Sequence, residues 1–166
     1  MKRKLLSVLL TLAMALTLLP VSAMAEGETA NVAKVGETEY ATLQAAVNAA
    51  NANDTVTLLA DRTEDVTINK SITLDLGGKT LTNTNAGKAT ISVTGGTVTV
   101  KNGTVIGGAS YYNIEVTKNS NADLILENVT ATAGNTGSSM IDNWGTLTIN
   151  SGSYTGGMNT VKSEEG

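Results

Sequence analysis

The feature that most constrains this chain is a strand-and-turn unit written three times. Thr97–Gly108 reads TVTVKNGTVIGG, Asp123–Gly134 reads DLILENVTATAG and Thr146–Gly157 reads TLTINSGSYTGG; Ile72–Thr82, ITLDLGGKTLT, is a looser copy. The central apolar residues fall 26 positions apart from Leu74 to Val100 and again from Val100 to Leu126, then 23 apart to Ile149. Self-similarity at a period of roughly 20–50 residues marks a solenoid, propeller or array. Each unit alternates apolar and small polar residues and closes on Gly, Asn, Ser or Thr, which describes a strand followed by a turn and leaves no room for a helix. The repeat therefore predicts an all-β chain wound as a parallel solenoid.

A second family of short strands precedes the first in each unit: Ile91-Ser-Val93, Ile114-Glu-Val116 and Met140-Ile141. Stacked coils give every strand a parallel neighbour about 4.8 Å away. Val98, Val100, Leu124, Leu126, Leu147 and Ile149 are expected to stack inward, with the intervening Thr residues outward. No coil buries its apolar side alone, so about four coils over residues 55–166 are expected to fold as one unit.

Upstream, residues 26–54 carry a short strand at Val32–Val35 and the one helical stretch outside the leader, Thr42–Ala52. Leu43, Ala46, Val47 and Ala50 form its apolar stripe, and Thr42 is placed as N-cap. The helix holds no titratable residue. It is read as a cap over the exposed end of the first coil.

Residues 1–25 are set aside as a secretory signal peptide. Lys2, Arg3 and Lys4 precede the apolar run Leu5–Leu19, and Ala23-Met24-Ala25 supplies a small-x-small cleavage site. The run of 15 residues is short of the roughly 18–20 that span a bilayer, so no stable membrane insertion is expected after cleavage. The protein is expected to be secreted, and cell-wall association would rest on a further C-terminal region.

Eleven Lys and Arg against fifteen Asp and Glu give a formal charge of −4. Three of the cations lie in the leader, so the exported part is more acidic still. That balance disfavours nucleic acid and anionic lipid as partners. With no Cys, no disulfide staples the fold; its stability has to come from stacked side chains and the strand ladder.

Asn102 and Asn128 occupy equivalent places, two residues past Val100 and Leu126, where stacked amides can hydrogen-bond from coil to coil. Both also open an Asn-x-Thr triplet that matches a glycosylation acceptor. At the far end, Glu164-Glu165-Gly166 aligns with Asn143-Trp144-Gly145, just before a strand is due. The chain is expected to be the N-terminal fragment of a longer protein, or else to close its open edge by self-association or against a partner.

Taken together, VAKVGETEYATLQAAVNAANANDTVTLLAD (Val32–Asp61), SITLDLGGKTL and the GTLTINSGSYTGG unit resemble the right-handed parallel β-helix family with the pectin-lyase-like fold. More narrowly, they are similar to the large exported, adhesin-like surface proteins of gut Gram-positive bacteria. The resemblance implies a right-handed β-helix of about four coils with a short N-terminal capping helix. It says little of activity, because that fold carries lyases, hydrolases, esterases, tailspikes and adhesins alike.

The residue types required by the enzymatic branches are sparse. There is no His, Arg62 is the one Arg outside the leader, and no pair of Asp residues shares a register in the strand alignment. Asp75, Lys101, Glu127 and Asn150 do share one, but the row mixes signs and reads as a solvated face. Lys70 and Lys79 are expected to face solvent. No catalytic residue is assigned. An acid–base role needs a group poised near the working pH, and a Ser or Thr nucleophile needs an activating partner; the sequence identifies neither.

No cofactor is expected beyond a weak Ca²⁺ site, for which the polar turn Asp61–Asp65 is the candidate; transition metals are disfavoured without His or Cys. The candidate ligand-binding residues are Trp144, Tyr111, Tyr112 and Tyr154, whose rings could stack on sugars or simply cover the turns. Two functions remain open: a non-catalytic surface module or stalk that binds polysaccharide or cell-surface glycan, and the N-terminal part of a pectate-lyase-like carbohydrate-active enzyme whose catalytic coils lie downstream.

Overall fold

A computed structural model describes residues 30–164; residues 1–25, expected to be a signal peptide, lie outside the described residues. The chain opens with a hairpin, β1 (Ala33–Val35) and β2 (Thr38–Tyr40), followed by α1 (Leu43–Ala49). The first coil comprises β3 (Thr55–Leu58), β4 (Arg62–Thr63) and β5 (Val66–Ile68). The second is β6 (Ile72–Asp75), β7 (Thr80–Thr82) and β8 (Ile91–Val93). Longer strands then alternate with short ones: β9 (Thr97–Ile106), β10 (Ile114–Val116), β11 (Asp123–Thr132) and β12 (Ile141–Asn143). The last strands are β13 (Thr146–Ile149), β14 (Gly152–Thr155) and β15 (Val161–Ser163).

Pairing makes this a parallel β-solenoid of about four turns. Strands β3, β6, β9, β11 and β13 stack in one sheet, and β5, β8, β10, β12 and β15 stack in a second of five strands. A third strip is formed by β4, β7, the second halves of β9 and β11, and β14.

The repeat holds a corner that its sequence does not advertise. In TVTVKNGTVIGG the Lys-Asn-Gly segment does not end the strand: β9 runs on through it to Ile106. Asn102 and Asn128 take left-handed φ values of 57° and 52°, a conformation Asn tolerates better than most residues, so the chain bends while the ladder continues. Their side chains form the coil-to-coil chain expected of them. Asn128 Nδ2 donates to Asn102 Oδ1 at 3.3 Å, and Asn102 Nδ2 donates to Asp75 Oδ1 at 3.3 Å. Gly103 completes the corner because a Cβ there would lie 2.4 Å from Leu76 Cβ and 2.6 Å from the Lys79 carbonyl.

Inward residues stack on their equivalents. Val56, Leu74, Val100 and Leu126 form one fully buried column, and Val66, Ile91, Ile114 and Ile141 another. The expectation fails in the last coil. Leu147 is half-buried and Ile149 is 41% exposed although each stays in register with the column below. No strand of the described residues covers that end, where Met158 and Val161 are exposed too.

The opposite end is capped, as the helical stripe predicts. Strand β1 runs antiparallel to β3 and occupies its free edge, while Leu43, Ala46 and Val47 of α1 are buried. Thr42 Oγ1 accepts from Ala45 N–H at 3.1 Å as the N-cap. The helix is shorter than the Thr42–Ala52 stretch, ending at Ala49. Gln44 extends the seal over β5: its Oε1 accepts from Thr67 N–H at 2.8 Å and its Nε2 donates to Thr67 O at 3.0 Å. One side chain thus does for a strand edge what a neighbouring strand would do.

Two charges from the first coil complement the poles of α1. Glu64 Oε2 accepts from Leu43 N–H at 3.0 Å and Oε1 from Gln44 N–H at 2.8 Å. Lys70, expected to face solvent, instead donates from Nζ to the carbonyls of Asn48 (3.1 Å) and Ala50 (2.9 Å). An anion at the helix start and a cation at its end are the favourable pairing with the backbone dipole.

Candidate functional site

Three of the four aromatic candidates and two carboxylates lie along the outer face of the β5–β8–β10–β12–β15 sheet. In its first four strands each segment turns its first and third residues inward and its middle residue outward. In register, the middle residues form the row Thr67, Ser92, Glu115, Asp142 and Lys162. Glu115 and Asp142 are therefore immediate neighbours on adjacent strands, whose backbones lie about 4.8 Å apart.

By sequence, Ile114-Glu-Val116 and Met140-Ile141 are successive short strands, and a search for stacked Asp pairs alone passes over Glu115. The structure pairs Ile114 with Ile141, which brings Glu115 opposite Asp142. The signal was present in the periodicity; the register was not.

The two carboxylates have different surroundings. Asp142 is only 3% exposed. Its Oδ2 accepts from Trp144 Nε1 at 3.0 Å, while Oδ1 is buried and meets no hydrogen-bond donor among the described residues. Glu115 is half-buried. Burial first, and the Asp142 charge second, push its pKa above the ordinary 4.5, against a hydrogen bond from Ser92 that pulls it down.

Aromatic rings flank the pair at both ends of the strands. Tyr111 and Tyr112 precede β10 and pack edge to face, their centroids 4.9 Å apart at an interplanar angle of 63°. The Tyr111 phenol has its pKa raised by burial, then by Glu115, Tyr112 and Asp142, which places it in the field of both carboxylates. Past the other end of the strands, Lys118 Nζ lies 4.4 Å from the Trp144 ring centroid, a cation–π contact. Lys162, next in the row after Asp142, is engaged by the Glu164 carboxylate.

Three of the four aromatic candidates thus converge, and Tyr154 stands apart. Strand β14 pairs it with Ala131 in an inward column, where it packs against the core and its Oη donates to Ser151 O at 3.4 Å. Burial raises its pKa. Its ring closes the top of the third strip, directly above the small Ala131, which stacks in turn on Val105 and Leu81.

The turn Asp61–Asp65 distributes its carboxylates to separate partners. Asp61 Oδ1 accepts from Thr80 N–H at 2.8 Å, Asp65 Oδ1 accepts from Thr84 N–H at 2.9 Å, and Glu64 holds the helix. Among the described residues no three His, Cys, Asp or Glu side chains group closely enough to hold a metal ion.

The mixed row on the first sheet is as the spacing implies. Lys101 Nζ is 3.7 Å from Asp75 Oδ2, and Asn150 Nδ2 donates to Glu127 Oε1 at 3.1 Å. Its charges are matched along the stack, whereas the Glu115–Asp142 step puts like charges together. Compared with protein-family models, with curated proteins and with solved structures, the chain matches none.

Proposed function

We propose that this protein is a non-catalytic, exported β-helix module, pectin-lyase-like in fold, that works at a cell surface as an adhesin-like or stalk segment and binds glycan. The observation that carries the reading is the gathering of Tyr111, Tyr112 and Trp144 around the Glu115–Asp142 pair on one sheet face. Aromatic rings supply flat apolar surface for the faces of sugars, and carboxylates accept from their hydroxyls. The test is binding of the exported chain to a panel of purified polysaccharides, with Trp144→Ala and Tyr111→Ala alongside. Retention lost in both variants while the melting curve is kept supports the reading; retention unchanged in both overturns it.

A second reading draws on the same carboxylates. A carboxyl whose pKa is raised by burial and by a neighbouring carboxylate is the kind of group that serves as a general acid, which favours the N-terminal part of a carbohydrate-active enzyme. Release of new chain ends from a polysaccharide, abolished by Glu115→Gln, would decide for it. Exposure of Ile149, Met158 and Val161 in the last described coil supports self-association through that surface, which sedimentation over a range of concentrations tests directly.

A further inference from the structure

We infer that the Glu115–Asp142 face selects a protonated amine carried on a sugar, the free amino group of an amino-sugar polymer, over neutral and acidic glycans. The inference rests on the glycan-binding reading and names the class of glycan. It starts from what the pair lacks. Asp142 Oδ1 is buried without a donor among the described residues, and an unsatisfied buried polar atom costs about 1–3 kcal/mol, more when charged. Beside it in register stands a second carboxylate, Glu115. A neutral hydroxyl would supply a hydrogen bond but no charge, and a uronate would add a third anion. An ammonium resting against the half-exposed Glu115 supplies the missing positive charge, which acts on both carboxylates.

The aromatic rings point the same way. Trp144 already has an ammonium against its ring, that of Lys118. Its Nε1–H donates to Asp142, so that hydrogen bond and the cation share one indole. Lys162 stands opposite Asp142 and acts on it while also being engaged by Glu164, and Lys118 lies against the ring; among the described residues no cation is paired with Glu115.

The test is calorimetric titration of the exported chain with tetramers of glucosamine, N-acetylglucosamine and galacturonate, at a pH that keeps the amine protonated. The glucosamine tetramer is expected to bind at least tenfold more tightly than either of the others. Glu115→Gln is expected to remove that preference, whereas Glu37→Gln, on the exposed turn between β1 and β2, should leave it intact. Because Asp142 is buried, Asp142→Asn is read only alongside its melting curve; Glu115→Gln carries the test if that variant does not fold. Equal binding of the acetylated tetramer overturns the amine inference and leaves glycan binding standing. Binding of none of the three overturns both. A preference that survives Glu115→Gln, or is lost equally in Glu37→Gln, marks general attraction of a polycation to an acidic protein and overturns the site.

Discussion

Glu115 and Asp142 stand opposite one another on adjacent parallel strands, the first half-exposed and the second almost wholly buried beneath the Trp144 indole that donates to it. Like charges in register are an unfavourable cross-strand pair. The solenoid repeats this arrangement nowhere along the Asp75–Lys101–Glu127–Asn150 row, where charges are interleaved. The pair therefore makes a measurable contribution to how stability varies with pH.

The pKa of Glu115 is raised in the folded chain by burial and by Asp142. The folded state thus holds the proton more tightly than the unfolded one. The stabilisation is complete below the ordinary value of 4.5 and is lost as pH rises through the folded value. Glu115→Gln is expected to flatten the stability profile between the ordinary and the folded value and to be more stable than the parent at neutral pH. Urea unfolding from acid to neutral pH checks this, and an unchanged slope would show that the pair is not coupled.

The Glu64 clamp on α1 predicts a local loss with a specific location. Glu64→Ala frees the Leu43 and Gln44 amides and should cost about 1–2 kcal/mol, as loss of a side-chain helix cap does. Hydrogen exchange should speed up at those two amides and in α1, while the β9–β11 ladder is affected only through global stability.

Gly103→Ala tests the corner. The added Cβ would fall against Leu76 Cβ and the Lys79 carbonyl, and backbone cannot yield as a flexible side-chain tip can. A loss of at least about 1–3 kcal/mol is expected from overpacking of this kind. A melting curve like that of the parent would mean that the corner is more open than its contacts imply.

Leu126 and Ile149 occupy one column with opposite consequences. Leu126 is fully buried and Ile149 is 41% exposed. Leu126→Ala should cost about 2–5 kcal/mol, whereas Ile149→Ala should stay near the ~0.5 kcal/mol usual for surface positions. Similar losses at both sites, at protein concentrations low enough to keep the chain monomeric, would show that the last coil is buried in solution.

The sequence by itself determined the architecture. A period of 26 residues with alternating apolar positions can bury its side chains only by stacking coil on coil, and Leu43, Ala46 and Val47 on one helical stripe require a surface to cover. The Asn102–Asn128 contact was legible for the same reason, because equivalent residues of successive coils must meet. Tertiary structure decided what periodicity leaves free. The pairing of Ile114 with Ile141 brought Glu115 opposite Asp142, and a left-handed Asn turned a strand end into a corner. The inward column took Tyr154 away from the face that holds Trp144. Lys70 and Glu64, distant from α1 along the chain, became the charges at its two ends. Each of these depends on which side chains stand beside one another across coils; a repeat fixes that for its apolar columns, while loop lengths and local register fix it for everything else.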